Sequence, residues 1–182
     1  LTVKPFPLRH PVEASQISGK PRNVTLVPSQ DEVARIADAY GLLGLSGLRG
    51  EFELRPWRRE GVAVKGVLHA VATQACVVTL KPVEQVIDEP FEMRFDPRVE
   101  TSPEATGEID VDAFADDPPD PLDNGRIDLG AILCEQLTLA LDPFPRAPDA
   151  EVPEEFRPDE DEKAEERPSP FASLAGLRKT DD

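Results

Sequence analysis

Two histidines, two cysteines, a few acidic clusters and one basic patch around the only tryptophan are the residues of this 182-residue chain that could do chemistry. None of the first groups forms a catalytic pattern. His10 and His69 have no nucleophile at a useful spacing, and His69 lies inside a strand candidate, where an ordinary strand histidine is expected. Cys76 opens the run Cys76-Val77-Val78-Thr79, with no second thiolate two residues on, and one cysteine cannot make a structural zinc site. Cys134 lies just off the apolar stripe of a predicted helix, as a small, partly buried side chain rather than a nucleophile. Asp110 and Asp112 begin like a calcium loop, but Phe114, Ala115 and Pro121 occupy positions that need oxygen ligands, glycine and glutamate. Gly41, Gly44, Gly47 and Gly50 lack the Lys-Ser/Thr that a phosphate loop requires. No enzyme, cofactor or metal site is expected.

The basic patch has two readings. Arg49, Arg55, Arg58, Arg59 and Lys65 surround a predicted hairpin that carries Trp57. Guanidinium groups beside an aromatic ring can hold phosphate and stack a base, so Arg55, Trp57, Arg58 and Arg59 are the candidate RNA contacts. The same charges also suit an exposed hairpin tip that is simply kept soluble.

These residues must be positioned by a modest set of elements. Leu1 to Pro11 is a candidate edge strand, and 22–27 a short strand. Ser29 and Glu32 form a capping box ahead of a helix whose stripe is Val33, Ile36, Ala37 and Tyr40, closed by Gly41. Long strands are predicted over 47–58 and 62–75, joined by Arg59-Glu60-Gly61 as a three-residue loop with a bulge at the glycine. A third strand, 83–95, places Val83, Ile87, Phe91, Met93 and Phe95 on one side, although Gln85 and Glu89 interrupt it and Pro90 suggests an edge or a bulge. Residues 101–126 read as an acidic loop with a short strand near Ile109 to Val111 and a turn at Asn124-Gly125. A second helix follows from Asp128 to Leu141, with Asp128 as its cap and Pro143 and Pro145 as its stop. The fold class is α+β: a mostly antiparallel curved sheet or partial barrel with two packed amphipathic helices and an acidic, largely disordered C-terminal extension. The organisation is a body over 1–148, an acidic linker over 149–167 and a short apolar segment over 168–182.

Charge divides the chain in the same way. Residues 1–100 hold 13 basic and 13 acidic side chains, whereas 101–182 hold 7 and 23 and therefore the whole net charge of −16. Such a chain repels bare phosphate and favours basic proteins, or serves only its own solubility. Residues 149–166 carry ten acidic residues against Arg157 and Lys163, too polar to order themselves. The apolar run PSPFASLAGL follows, in which Phe171, Leu174 and Leu177 fall at three-residue spacing, suited to docking on a groove of this body or of a partner. No apolar stretch approaches the roughly 20 residues of a membrane span, the first residues lack the apolar core of a secretory signal, and two distant cysteines propose no disulfide. A cytoplasmic location is the expectation.

Three segments, in order, resemble the bacterial YceD family, also called domain-of-unknown-function family 177. They are Cys76 to Leu80 with Pro82-Val83 and Phe91 to Phe95; Ile127-Asp128-Leu129-Gly130 through Leu139 to Pro143; and Pro170 to Leu177. The resemblance spans roughly residues 15–178. It implies a role in the normal accumulation of 23S ribosomal RNA, no established enzymatic activity, and a gene neighbour encoding a small basic protein of the large ribosomal subunit. Many members carry a Cys-x-x-Cys pair where this chain has Cys76 and Thr79, so no metal ligand is carried over. The expected function is large-subunit biogenesis, with a ribosomal precursor or a basic ribosomal protein as partner and with possible rRNA contact. The alternative is an acidic adaptor or chaperone for a basic ribosomal protein that does not touch RNA. Neither membrane nor DNA is expected as a partner.

Overall fold

A computed structural model of the chain describes residues 6–99, 118–122 and 124–151. Two compact units divide at Pro148, and of the second, Asp149–Asp182, only the first three residues are described. The expected strand near 109–111 and the segment with Phe171, Leu174 and Leu177 lie outside the described residues.

The body is α+β. Its elements run β1 (Pro11–Glu13), a single 3-10 turn, β2 (Arg22–Leu26), α1 (Gln30–Ala39), β3 (Gly44–Trp57), β4 (Gly61–Ala75), β5 (Pro82–Asp96), β6 (Asp120–Pro121), β7 (Arg126–Asp128) and α2 (Leu129–Ala140). Strands β2 to β6 form one sheet in sequence order, antiparallel except where β6 joins the end of β5 in parallel. The sheet is not closed into a barrel: among the described residues β2 and β6 form its two edges. The opening segment is corrected. Residues 6–10 are not strand; β1 starts at Pro11 and pairs with β7 in a separate two-stranded ribbon, and 1–5 lie outside the described residues.

Alternation decides which face of the long strands is buried. Leu48, Phe52 and Leu54 of β3, Val62, Val64 and Leu68 of β4, and Ile87 and Phe95 of β5 face the helices. Against them α2 lays Leu129, Leu133 and Leu137, all fully buried, each contributing roughly 2 kcal/mol by leaving water. Gly50 and Gly66 make the close approach possible. A Cβ on Gly50 would meet the Phe52 ring at 2.6 Å and Leu133 at 2.9 Å. Gly66 stands between Phe52 and Phe91 in register, and the two rings close over it edge to face, 5.8 Å apart.

The helix ends are fixed as the sequence suggests, with additions. Ser29 and Glu32 complete the capping box of α1, and Gly41 leaves it at φ +65°. Asp128 caps α2 by accepting from the Gly130 and Ala131 amides at 3.1 and 3.2 Å. It also accepts from the His10 amide at 2.7 Å and pairs with Arg9, which ties β1 to the start of the helix. At the other end Gln85, the interruption in the β5 stripe, donates to the Ala140 carbonyl at 2.8 Å and accepts from the Asp142 amide at 3.0 Å. The polar residue on an apolar face is therefore the clasp of the helix C-terminus.

The β3–β4 connection differs from expectation. The residue with positive φ is Arg58, at +53°, and Gly61 is already paired with Trp57. Gly61 is required because a Cβ there would lie 2.6 Å from the Phe95 carbonyl oxygen. The bulge sits near the start of β3, between Ser46 and Arg49, where Gly47 has φ +62°.

Replacing Asp128 by Ala removes a helix cap and the tie to β1 together. Urea unfolding of Asp128→Ala is expected to show a loss of about 2 kcal/mol with an unchanged m value, at the upper end of what one cap contributes. A loss below about 0.5 kcal/mol would mean that the tie is immaterial.

Candidate functional site

The basic hairpin lies at one end of the sheet. Odd positions of β3 point to the face that the helices leave open, so Arg49, Glu51, Glu53, Arg55 and Trp57 share it. Register then sets their neighbours: Lys65 opposite Glu53 and Glu92, and Ala63 opposite Arg55 and Arg94. Arg55 Nη2 lies 2.8 Å from Glu53, Arg49 3.2 Å from Glu51, and Lys65 3.1 Å from Glu92. Most of the patch is thus compensated on the spot by carboxylates of the same face. Arg58 and Arg59, in the turn, are the two of its cations with no carboxylate at ion-pair distance among the described residues.

Trp57 is held between cations. The Arg58 guanidinium lies 4.1 Å from the centre of the indole, and Arg94 of β5 lies 6.0 Å from it. Of the four residues expected at an RNA contact, Trp57 and Arg58 are in direct contact, Arg55 is engaged with Glu53, and Arg59 borders a cleft of about 630 Å³ beside Glu60 and Pro97. A base stacking on Trp57 would have to compete with Arg58 for the ring. Sequence reading missed Arg94, which reaches the indole only because two strand registers bring β5 alongside.

Buried Asp96 anchors this end and was also not foreseen. Arg98 donates to it from Nε at 2.9 Å, from Nη2 at 2.6 Å and from its backbone amide at 3.0 Å. These hydrogen bonds, led by the guanidinium, hold the Asp96 carboxyl well below the usual range, at about 2.

The cysteines and histidines are placed elsewhere. Cys76 is fully buried in the β4–β5 turn, with its Sγ 3.4 Å from the Val78 and Thr79 amides and 3.3 Å from that of Ala147. The Thr79 hydroxyl first, and then these amides, bring the thiol down to about 6. Thr79 stands where a second thiolate would be, and a single thiolate does not make a structural zinc site. Cys134 is fully rather than partly buried, and burial pushes its thiol above the ordinary value. His69 contacts Asp88 across the β4–β5 register at 2.5 Å on the open face, and His10 lends its backbone to Asp128. Among the described residues no three His, Cys, Asp or Glu side chains converge as metal ligands, and no helix is long and apolar enough to cross a membrane.

The Asp96 carboxyl gives a pH signature. Its folded-state pKa is depressed, so its contribution is present above its ordinary value near 4 and is lost as pH falls towards about 2. Acid unfolding followed by circular dichroism should show a smaller loss of stability across that window in Asp96→Asn than in the parent protein. Parallel curves for the two would show that Asp96 and Arg98 do not act as a pair.

No curated protein and no solved structure matches the chain. A family model described as large ribosomal RNA subunit accumulation protein YceD matches residues 64–178, from β4 through both helix-capping residues of α2 and on past the described body. That match covers more than half of the sequence, and the chain belongs to the YceD family.

Proposed function

We propose that this protein is a non-enzymatic, cytoplasmic ribosome-biogenesis factor needed for normal accumulation of 23S ribosomal RNA and assembly of the large subunit. Membership of a family described by large-subunit RNA accumulation is the observation that carries the reading. The net charge of −16, held entirely by the second part of the sequence, supports a basic protein as the direct partner. In that role the acidic stretches 110–123 and 149–166 would shield a basic ribosomal protein or an assembly intermediate before it meets RNA.

The compensated hairpin favours the adaptor form of this reading. Phosphate affinity grows with the number of cations free to displace counterions. Arg49, Arg55 and Lys65 are each already engaged with a carboxylate, which leaves Arg58 and Arg59 as the cations a phosphate could reach first.

Deleting the gene should lower 23S relative to 16S ribosomal RNA and reduce mature large subunits in a sucrose gradient; an unchanged ratio with a normal gradient would rule the proposal out. Complementation with Arg55→Glu, Arg58→Glu and Arg59→Glu combined should restore the ratio if the protein acts as an adaptor. Failure to restore it, with the protein folded and abundant, would identify the hairpin as an RNA contact.

A further inference from the structure

The end of the sheet opposite the hairpin is apolar. Five of the eight large hydrophobic side chains most exposed among the described residues gather there: Leu43, Val77, Leu80, Leu139 and Phe144. Backbone contacts bring their segments together. The Leu43 amide donates to the Thr73 carbonyl at 2.8 Å, near the end of β4. The Val77 amide donates to the Pro145 carbonyl at 2.9 Å, which joins the β4–β5 turn to the segment carrying Phe144. Leu139 precedes Ala140, the residue clasped by Gln85. Beside Leu43 opens a groove of about 970 Å³ between α1 and the start of β3, floored by Val33, Leu42 and Leu45.

Leu80 is the most telling member. It is 76% exposed and its φ is +59°, in the left-handed region that bulky side chains rarely enter. The turn holds it there through Leu80 N–H to the Cys76 carbonyl and Cys76 N–H to the Lys81 carbonyl, at 2.9 and 2.8 Å. Glycine would adopt this conformation without strain. A leucine that is both strained and displayed to water lowers stability, and strain of this kind collects at functional surfaces. Exposed apolar surface gathered at one end marks a place of association.

Charge selects the occupant. A second copy would bring another −16 to the same place, so self-association works against strong repulsion. The same net charge favours a basic partner over a second copy. We infer that this apolar end is the docking surface for a basic segment of a partner protein that carries apolar anchor residues, the net negative charge of the chain supplying attraction and the five side chains with their groove supplying the hold. The inference rests on the proposed basic partner and adds the place where it is held.

The test uses the full chain and a fluorescein-labelled helical peptide of leucine and lysine, with a serine and lysine peptide of equal charge as the measure of attraction alone. Fluorescence anisotropy should show the leucine peptide bound at least about tenfold more tightly than the serine peptide. Leu80→Gly combined with Phe144→Ser should erase that difference while Leu80→Gly alone raises the melting temperature, a pairing that a purely structural role for Leu80 would not produce. Phe6→Ser, an exposed phenylalanine on another part of the body, should leave the difference intact. Should the double variant fail to fold, Leu43→Ser with Leu139→Ser carries the same expectation from the other side of the surface. An undiminished preference for the leucine peptide in folded variants would overturn the inference, as would a parent dimer in sedimentation that these variants convert to monomer. In cells, a normal 23S to 16S ratio with the double variant, where deletion lowers it, would overturn the docking surface and leave the proposed function standing.

Discussion

The long strands and the short helices do not match in length, and much of the molecule follows from that mismatch. Fifteen residues of β4 extend for about 50 Å. The twelve residues of α2 cover only about 18 Å. One helix cannot roof the buried face, so α1 takes the β3 flank, and the β1–β7 ribbon closes in where α2 begins. Among the described residues, what lies beyond the C-terminus of α2 is roofed by the segment after it, held by Gln74, Gln85 and Cys76. The apolar rim is the part of the sheet's end that this thin cover leaves in water.

Within the covered region the approach of helix to sheet is set by what is missing. Gly50 and Gly66 remove the two Cβ atoms that would otherwise hold Leu133 and the Phe52–Phe91 pair away from the backbone. The rings then fill the space that the two glycines leave. Asp128 fixes one end of the helix over this middle and Gln85 fixes the other. Both are polar groups whose hydrogen bonds answer orphan amides or carbonyls, and an apolar residue in either place would remove those partners.

The result is a body with two unlike ends. The hairpin end is polar and partly neutralised, with Arg58 and Arg94 beside Trp57 and Asp96 locked to Arg98. The opposite end shows leucine, valine and phenylalanine beside an apolar groove. In the function proposed above, this asymmetry favours contact with a protein over broad contact with RNA. Cations that satisfy carboxylates within their own sheet offer little to a phosphate chain, whereas uncovered apolar surface gains by leaving water.

The elements themselves were legible in the residues because their signals are local. Ser29 and Glu32 three apart, the period-two run from Val83 to Phe95, and Asp128 ahead of a leucine-rich stretch each report their own backbone within a few positions. The hairpin was found as well, but the reason for its glycine was misread: Gly61 answers the Phe95 carbonyl oxygen, thirty-four positions away, and the left-handed residue is Arg58. The patch around Trp57 looked like free positive charge in the sequence, since nothing there says that Glu92 will stand beside Lys65 or Arg94 beside the indole. Gln85 looked like a flaw in an apolar face until Ala140 and Asp142 came to meet it. The sequence by itself determined the two helices, the long strands, the division of charge and the family resemblance, because short-range geometry and composition encode them. Tertiary structure alone decided which charges are neutralised and which apolar side chains remain in water, because strand register and helix length bring distant residues together or leave them apart.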